Sequence, residues 1–411
     1  MNKEKIKIYL KWFIKKLAKW TIKRYQPGVI AITGSVGKTS TKEAIYAVLK
    51  NCRSVRATKG NFNNEIGLPL TILGDYQKIE SKFFWVKVIL ISLARLIIKM
   101  KYPEILILEY AADKPGDMKY LLEIAKPQIG IVTAVGEVPA HVEFFSGPEA
   151  VAREKSKIIE SLSNTGFAVL NFDDRTVLEM KQRTRAHVAT FGFGSGAEVR
   201  ITNFENKMSN NSPVGIAFKL NYGGSFVPVR IDGCFGKAQA YAVAAASCVG
   251  LIFGMNLVKI SEALLNYQSP PQRARLLVGI KQTYIIDDSY NASPLSMQNS
   301  IEAVKSLKTK RKIGVLGDMM EIGKYTSDAH QAIGKMAGKV FDLLVTVGMR
   351  GKLIADGAAR AGMPKKNIYS FDSADEAKLK VQELMKKGDL ILVKASHSVG
   401  LEKVVEEIKV M

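Results

Sequence analysis

The sequence predicts an α/β protein: two domains on mostly parallel sheets, behind a basic amphipathic helix. Three observations carry this. Short apolar runs ending in Gly or polar residues recur along the chain. Helical stretches separate many of them, the alternation that builds parallel sheets. A lysine-rich stripe with a period near four occupies the first 25 residues.

In chain order, Ile6, Leu10, Phe13, Leu17 and Trp20 stack on one helical face, and Lys7, Lys11, Lys15, Lys19 and Lys23 on the opposite one. This is the pattern of a helix lying on a membrane surface; docking of its apolar face on the protein's own core is the alternative. Buried strands are expected at Val29–Thr33, Ile105–Glu109, Ile129–Thr133, Phe167–Asn171, Ile313–Gly317, Leu343–Val347 and Leu390–Lys394. Helices are expected at 39–50, 116–126, 148–162, 238–250, 292–306, 328–338 and 374–387. Residues 82–102 read as a second interfacial helix, too striped by Lys87, Arg95 and Lys99 to span a bilayer and ended by Pro103. Residues 196–235 read as a small antiparallel excursion. The Ser269-Pro270-Pro271 turn marks a boundary, giving segments 1–27, 28–268 and 269–411.

The chain has 411 residues, with 60 Lys+Arg against 38 Asp+Glu, a formal charge of +22. Residues 1–25 hold nine basic residues and one acidic, and 82–102 hold five basic and none acidic, so more than half the excess lies in two short segments. That concentration points to an anionic membrane surface and away from nucleic acid. Cys52, Cys234 and Cys248 are too few and too scattered for a disulfide framework or a four-cysteine zinc site. Lysines interrupt the N-terminal apolar residues, which excludes a secretory signal.

After the strand ending at Thr33 comes Gly34-Ser35-Val36-Gly37-Lys38-Thr39-Ser40, then a helix. Strand, glycine loop and helix start form a phosphate cradle: glycine lets backbone N–H groups approach, and the helix N-terminus favours negative charge. Lys38 would reach the β/γ-phosphates of a nucleotide and Thr39 would hold Mg²⁺, which by itself says nucleotide hydrolysis or transfer and no more. Ile32 stands where the usual first glycine would be. The middle domain is therefore a P-loop domain and the C-terminal one a Rossmann-like α/β domain.

The segment Thr33–Glu43 resembles the ATP loop of the Mur ligases. Asn61-Phe62-Asn63-Asn64-Glu65-Ile66-Gly67-Leu68-Pro69, residues 108–117, Val151-Ala152-Arg153-Glu154-Lys155, Asp287–Pro294 and Leu316–Gly323 resemble that family's MurF branch, the UDP-N-acetylmuramoyl-tripeptide–D-alanyl-D-alanine ligases. The resemblance covers roughly 28–411. It implies an ATP-dependent, ADP-forming amide ligase that acts through an acyl phosphate on a cell-wall peptide precursor and a small amine. It implies that Glu109 and His141 support Mg²⁺, as does Lys155 if carbamylated. It places Arg273 on the γ-phosphate, with Arg275 a near competitor, and Asp288, Tyr290 and Asn291 around the nucleotide. Asn63, Asn64, Asp318, Glu321, Lys394 and Ser396 are its substrate-side candidates; His330 is either an acceptor-site residue or helix polarity.

The sequence departs from the family at several points. The P-loop starts 34 residues in, where Mur ligases carry a UDP-binding domain, so a lipid-linked precursor is as open as a UDP-linked one. Residues 82–102 look inserted. Ala238, Gln239 and Ala242 replace family residues near the nucleotide, Gln272 replaces a Gly and His397 an Arg. The alternatives are a ligase like the folylpolyglutamate synthases, acting on a soluble acceptor, and a membrane-bound ATP-binding scaffold without catalysis. The cysteine zinc ribbon of the lipid II amidating ligase subunit is absent. The expected place of work is cytoplasmic, on the inner face of the cell membrane.

Overall fold

A computed structural model of the chain describes residues 3–60, 62–76, 78, 82–210 and 212–410. The Ile6 and Lys7 side chains, and Asn61 of the second motif, lie outside the described residues.

The first sheet comprises β1 (Gly28–Thr33), β2 (Val55–Ala57), β3 (Ile105–Glu109), β4 (Ile129–Val132), β5 (Phe167–Asn171), β6 (His187–Gly192), β7 (Val199–Ser209), β8 (Ser212–Tyr222) and β9 (Ser225–Asp232). The second comprises β10 (Arg275–Gly279), β11 (Thr283–Asp287), β12 (Lys312–Gly317), β13 (Leu343–Val347), β14 (Ile368–Phe371) and β15 (Leu390–Lys394). The helices of the first half are α1 (Lys3–Tyr25), α2 (Lys38–Leu49), α3 (Gly67–Leu73), α4 (Lys82–Ile97), α5 (Asp117–Ile124), α6 (Pro148–Glu160), α7 (Arg175–Glu179), α8 (Lys237–Ile252) and α9 (Leu257–Leu264). Those of the second are α10 (Pro294–Ser306), α11 (Thr326–Ala337), α12 (Gly351–Arg360), α13 (Ala374–Leu384) and α14 (Glu402–Ile408).

Strand order in the first sheet is β2-β3-β1-β4-β5-β6-β7-β8-β9. Its pairs are parallel from β2 through β7 and antiparallel from there to β9. The expected excursion is thus an extension of the main sheet. The second sheet runs β10-β11-β15-β12-β13-β14, with only β10 antiparallel to its neighbour.

Alternation along β1 splits the first core. Ile30 and Ile32 pack with α2, α8 and α9, while Val29 and Ala31 pack with α1, α3, α4 and α5. The second sheet likewise carries α10, α11 and α12 on one face and α13 and α14 on the other. In the first sheet, neighbours β1 and β3 deliver Thr33 and Glu109 to one edge, and β1 leads straight into the glycine loop.

Both predicted amphipathic helices exist, but their facing differs from expectation. On α1, Ile14, Leu17 and Ala18 are fully buried, whereas Trp20 is half exposed. Lys11 pairs with Glu65, and Lys15 donates to Glu123 at 2.8 Å, so part of the expected outer basic face is turned to the protein. The physical reason is that α1 is apolar on more than one side, and a core with carboxylates at its rim accepts the side whose lysines it can pair. Helix α4 ends at Ile97, well before Pro103. Arg95 faces inward, donating to the Leu73 carbonyl at the end of α3.

Candidate active site

The glycine loop turns as its sequence requires. Gly34 (φ 144°) and Gly37 (φ 90°) hold conformations that L side chains rarely adopt, and a Cβ on Gly34 would drive into Thr133 Oγ1. The Ser35 amide donates to the Ala134 carbonyl (2.6 Å), and Thr133 Oγ1 donates to the Val36 carbonyl (2.6 Å), fixing the loop to the strand end. Lys38 Nζ donates to the Gly34 carbonyl at 2.7 Å, folded back over the cradle. Burial lowers its pKa, and the Glu109 and Asp113 carboxylates oppose that. Ser35 Oγ is buried without a partner, an acceptor-and-donor atom waiting in the loop.

Around this loop lies a cavity of about 550 Å³. It is lined by Ser35 through Ser40, Asn63, Asn64, Glu109 and His141 from the first half and by Arg273, Asp288, Tyr290, Asn291 and Lys394 from the second. Most of the sequence-predicted residues therefore meet in one place. Thr39 Oγ1 donates to Glu109 Oε2 (3.1 Å), and Asn63 Nδ2 donates to Glu109 Oε1 (3.1 Å). Arg273 Nη2 reaches Thr39 Oγ1 at 3.5 Å from across the boundary between the two sheets. Its guanidinium lies 3.8 Å from the Tyr290 ring centroid, and His397 stacks on the same ring at 5.6 Å.

The Thr39 hydroxyl and Glu109 carboxylate are hard oxygen donors converging beside the phosphate cradle. That fits Mg²⁺, which keeps most of its waters and takes one or two carboxylates plus phosphate oxygens. Among the described residues no cluster of three His, Cys, Asp or Glu side chains could hold a metal by itself. His141 belongs to a second group. Its Nε2 lies 3.3 Å from Asp113 Oδ1 and its Nδ1 2.6 Å from Glu321 Oε2, the latter not aligned as a hydrogen bond. Burial holds the imidazole pKa below its usual value, with Asp113 opposing.

Lys155 does not line the cavity. It is fully buried on α6, and desolvation, then the charge of Lys38, pushes its pKa down to about 7. A buried amine whose pKa lies near neutrality keeps a sizeable share of the uncharged, nucleophilic form that carbamylation needs.

The substrate-side candidates divide. Asn63, Asn64 and Lys394 line the cavity; Asp318, Glu321 and Ser396 do not. Lys394 Nζ is buried against Asp288 Oδ2 (2.6 Å) and the Asn291 carbonyl (3.0 Å). Asp288 also accepts from Ser300 Oγ (2.6 Å) and from the Ala274 amide (3.1 Å), so it anchors the linker turn that carries Arg273. Asp318 Oδ1 accepts the Gly351 amide at the start of α12 (2.7 Å), and Ser396 Oγ accepts the Met320 amide (2.8 Å). Glu321 sits at φ 61° with its carbonyl accepting the Glu143 amide (3.2 Å), a contact between the two halves. His330 is fully buried, Nε2 accepting the Met319 amide (2.9 Å) and Nδ1 against the Thr326 carbonyl (2.7 Å); it is loop support.

Two residues were missed by sequence reasoning. Asp113 acts electrostatically on Lys38, His141 and Lys155 together, and its place in the 108–117 motif was the available signal. Gln239 is buried with its amide donating to Ser269 Oγ (3.0 Å) and the Arg273 carbonyl (2.8 Å) and its oxygen accepting from Tyr267 (2.7 Å). It fastens the linker, which no local signal reveals.

Comparison with known proteins agrees with this geometry. The Mur ligase middle domain matches residues 32–84 and 89–250, and the glutamate ligase domain of Mur ligases matches 272–397. The UDP-N-acetylmuramoyl-tripeptide–D-alanyl-D-alanine ligase of Bacillus subtilis is 29% identical over 96% of this chain and 79% of its own length. That of Mycobacterium tuberculosis is 30% identical over 92% and 72%. A crystal structure of MurF ligase from Thermotoga maritima with ADP superposes with a TM-score of 0.79 at 29% identity, covering 97% of this chain and 83% of that one. A folylpolyglutamate synthase from M. tuberculosis shares the fold, with a TM-score of 0.67 at 15% identity. The chain belongs to the Mur ligase family, and it is a MurF-like, ATP-dependent ligase.

Proposed function

We propose that this ligase joins a small amine, a dipeptide or amino acid, to the carboxylate of a cell-wall peptide precursor through an acyl phosphate. The observation that carries this is the convergence of Lys38, Thr39 and Glu109 with Arg273, which comes from the linker leading into the other sheet. Lys38 and the loop amides would neutralise the β/γ-phosphates, and Arg273 would draw charge from the γ-phosphoryl group as it moves. Mg²⁺ held by Thr39 and Glu109 would supply further charge neutralisation, with neutral His141 and carbamylated Lys155 as additional support. The substrate carboxylate oxygen attacks the γ-phosphorus and ADP departs. The amine nitrogen then attacks the acyl carbon, loses a proton to solvent or phosphate, and inorganic phosphate leaves. Holding both substrates in line is the chain's main task, and a cavity at the seam of two domains (28–268 and 269–411) suits it. We place the work at the cytoplasmic face of the membrane, with the precursor UDP-linked or lipid-linked.

The test is phosphate release from ATP with D-Ala-D-Ala against UDP-linked and lipid-linked muropeptides, with folates as the competing acceptor. Stimulation by a muropeptide is expected. Stimulation by folate alone, or by nothing, overturns the cell-wall assignment.

A further inference from the structure

Helices α1 and α4 both pack on the same face of the first sheet: Ile14, Leu17 and Ala18 from one, and Phe84 and Val88 from the other, enter one core cluster. Their outer sides therefore look the same way. The helices also meet at their C-terminal ends, where Arg24 donates to the Ile97 carbonyl (3.2 Å) and Tyr25 OH donates to the Arg95 carbonyl (3.0 Å).

Those outer sides are apolar. Trp12 is 58% exposed, Trp20 49%, Phe83 82%, Leu90 61% and Ile97 79%. Large aliphatic and aromatic groups concentrated on two adjacent helices exceed the scattered exposure ordinary for a surface. Cations flank them: Lys16, Lys19, Lys23 and Lys87 are exposed among these side chains. The two segments together contain one acidic residue, Glu4. A folded protein partner would bring its own polar pattern to match. Exposed apolar groups interleaved with long cationic side chains instead match an anionic bilayer surface, where tryptophan takes the interface and lysine reaches the headgroups. Among the described residues no helix is long and apolar enough to cross a membrane, so the helices would lie on it.

We propose that the outer faces of α1 and α4 together form one docking surface for an anionic lipid bilayer. This rests on the membrane location proposed above and deepens it. The face shares Trp20 with the apolar stripe that the sequence periodicity picks out but not Leu17, which is buried; Tyr9, Trp12 and Trp20 carry it on α1, with helix α4 supplying the rest.

The chain's three tryptophans allow a direct test. In the full-length Trp85→Phe variant, emission comes from Trp12 and Trp20 alone. Vesicles of phosphatidylcholine with phosphatidylglycerol are expected to shift that emission to the blue, brominated acyl chains to quench it, and added salt to weaken binding. The double variant Leu90→Glu/Ile97→Glu is expected to bind at least tenfold more weakly with ATP turnover unchanged, which also shows that it is folded. Absence of binding by the Trp85→Phe chain overturns both this surface and the membrane location. Binding that the double variant leaves untouched overturns this surface alone. A dimer in solution that the double variant dissolves, without vesicle binding, assigns the face to a second copy and overturns the proposal. Turnover with muropeptides is read separately, so the ligase assignment stands or falls by itself.

Discussion

At the scale of single residues, charge and burial decide what each group can do. Lys38 is the cradle's own cation, and Lys38→Ala should lower ATP turnover by about 10²–10³-fold, as removal of a phosphate-stabilising donor does; turnover within tenfold of the parent would count against the loop. His330 supplies a pH test of stability. Burial depresses its pKa below 6.5, so the native state holds it neutral while the unfolded chain takes up a proton. Its stabilising contribution is then present above 6.5 and is lost as pH falls through the lower native value. The thermal midpoint should drop between about pH 7 and about pH 5, and drop less in His330→Gln. The glycine-loop residues were legible because phosphate chemistry restricts residue types at fixed spacing, as in Gly34 to Ser40. Asp288 was legible as a position but not as a hub, because Lys394 approaches it from a strand distant in sequence and Ala274 from the linker turn.

At the scale of elements, α1 is the instructive case. Periodicity showed an amphipathic helix, yet α1 has apolar groups all around it, and no spacing rule tells Leu17 from Trp20. Partners decide: Glu65 and Glu123 take Lys11 and Lys15, which fixes the rotation. With Ile14, Leu17 and Ala18 fully buried, α1 is part of the fold. Leu17→Ala should cost about 2–5 kcal/mol by urea denaturation, whereas Trp12→Ser should cost well under that. Removing the helix would uncover Leu68, Leu70 and their neighbours, so point variants on its outer side are the proper probe of membrane contact. The strands of both sheets read well from sequence because buried parallel strands are continuous apolar runs. β2, β6, β10 and β14 did not, since their partial burial leaves no such run, and neither did β11, where only Ile285 and Ile286 are apolar between Thr283, Tyr284 and Asp287.

At the scale of the molecule, two sheets share one cavity and one linker. The linker is held from both sides. Gln239 and Ser269 grip the Arg273 carbonyl, while Asp288 grips the Ala274 amide next to it. Gln272 and Ala274 both sit at positive φ, at 60° and 53°. Gln239→Ala would strand these partners, and we expect a loss of about 1–3 kcal/mol in stability, with a fall in kcat larger than any change in the KM for ATP. An unaltered kcat would mean that the grip does not set the position of Arg273. This reach of a helix in one half to the linker ahead of the other depends on tertiary proximity, and so lay beyond what the sequence could disclose.

That grip has a mechanical consequence. A turn riveted on both sides of a single residue cannot serve as a loose joint. If the second sheet swings away to admit substrate while Gln239 and Ser269 keep the Arg273 carbonyl, rotation has to be taken up after Arg273 and the Asp288 contact with the Ala274 amide opens, while Arg273 stays with the first half. The arginine would then be a fixed post against which the moving half closes, and the timing of closure would be read by the parts that travel, among them Glu321 returning to the carbonyl and imidazole contacts it makes around His141.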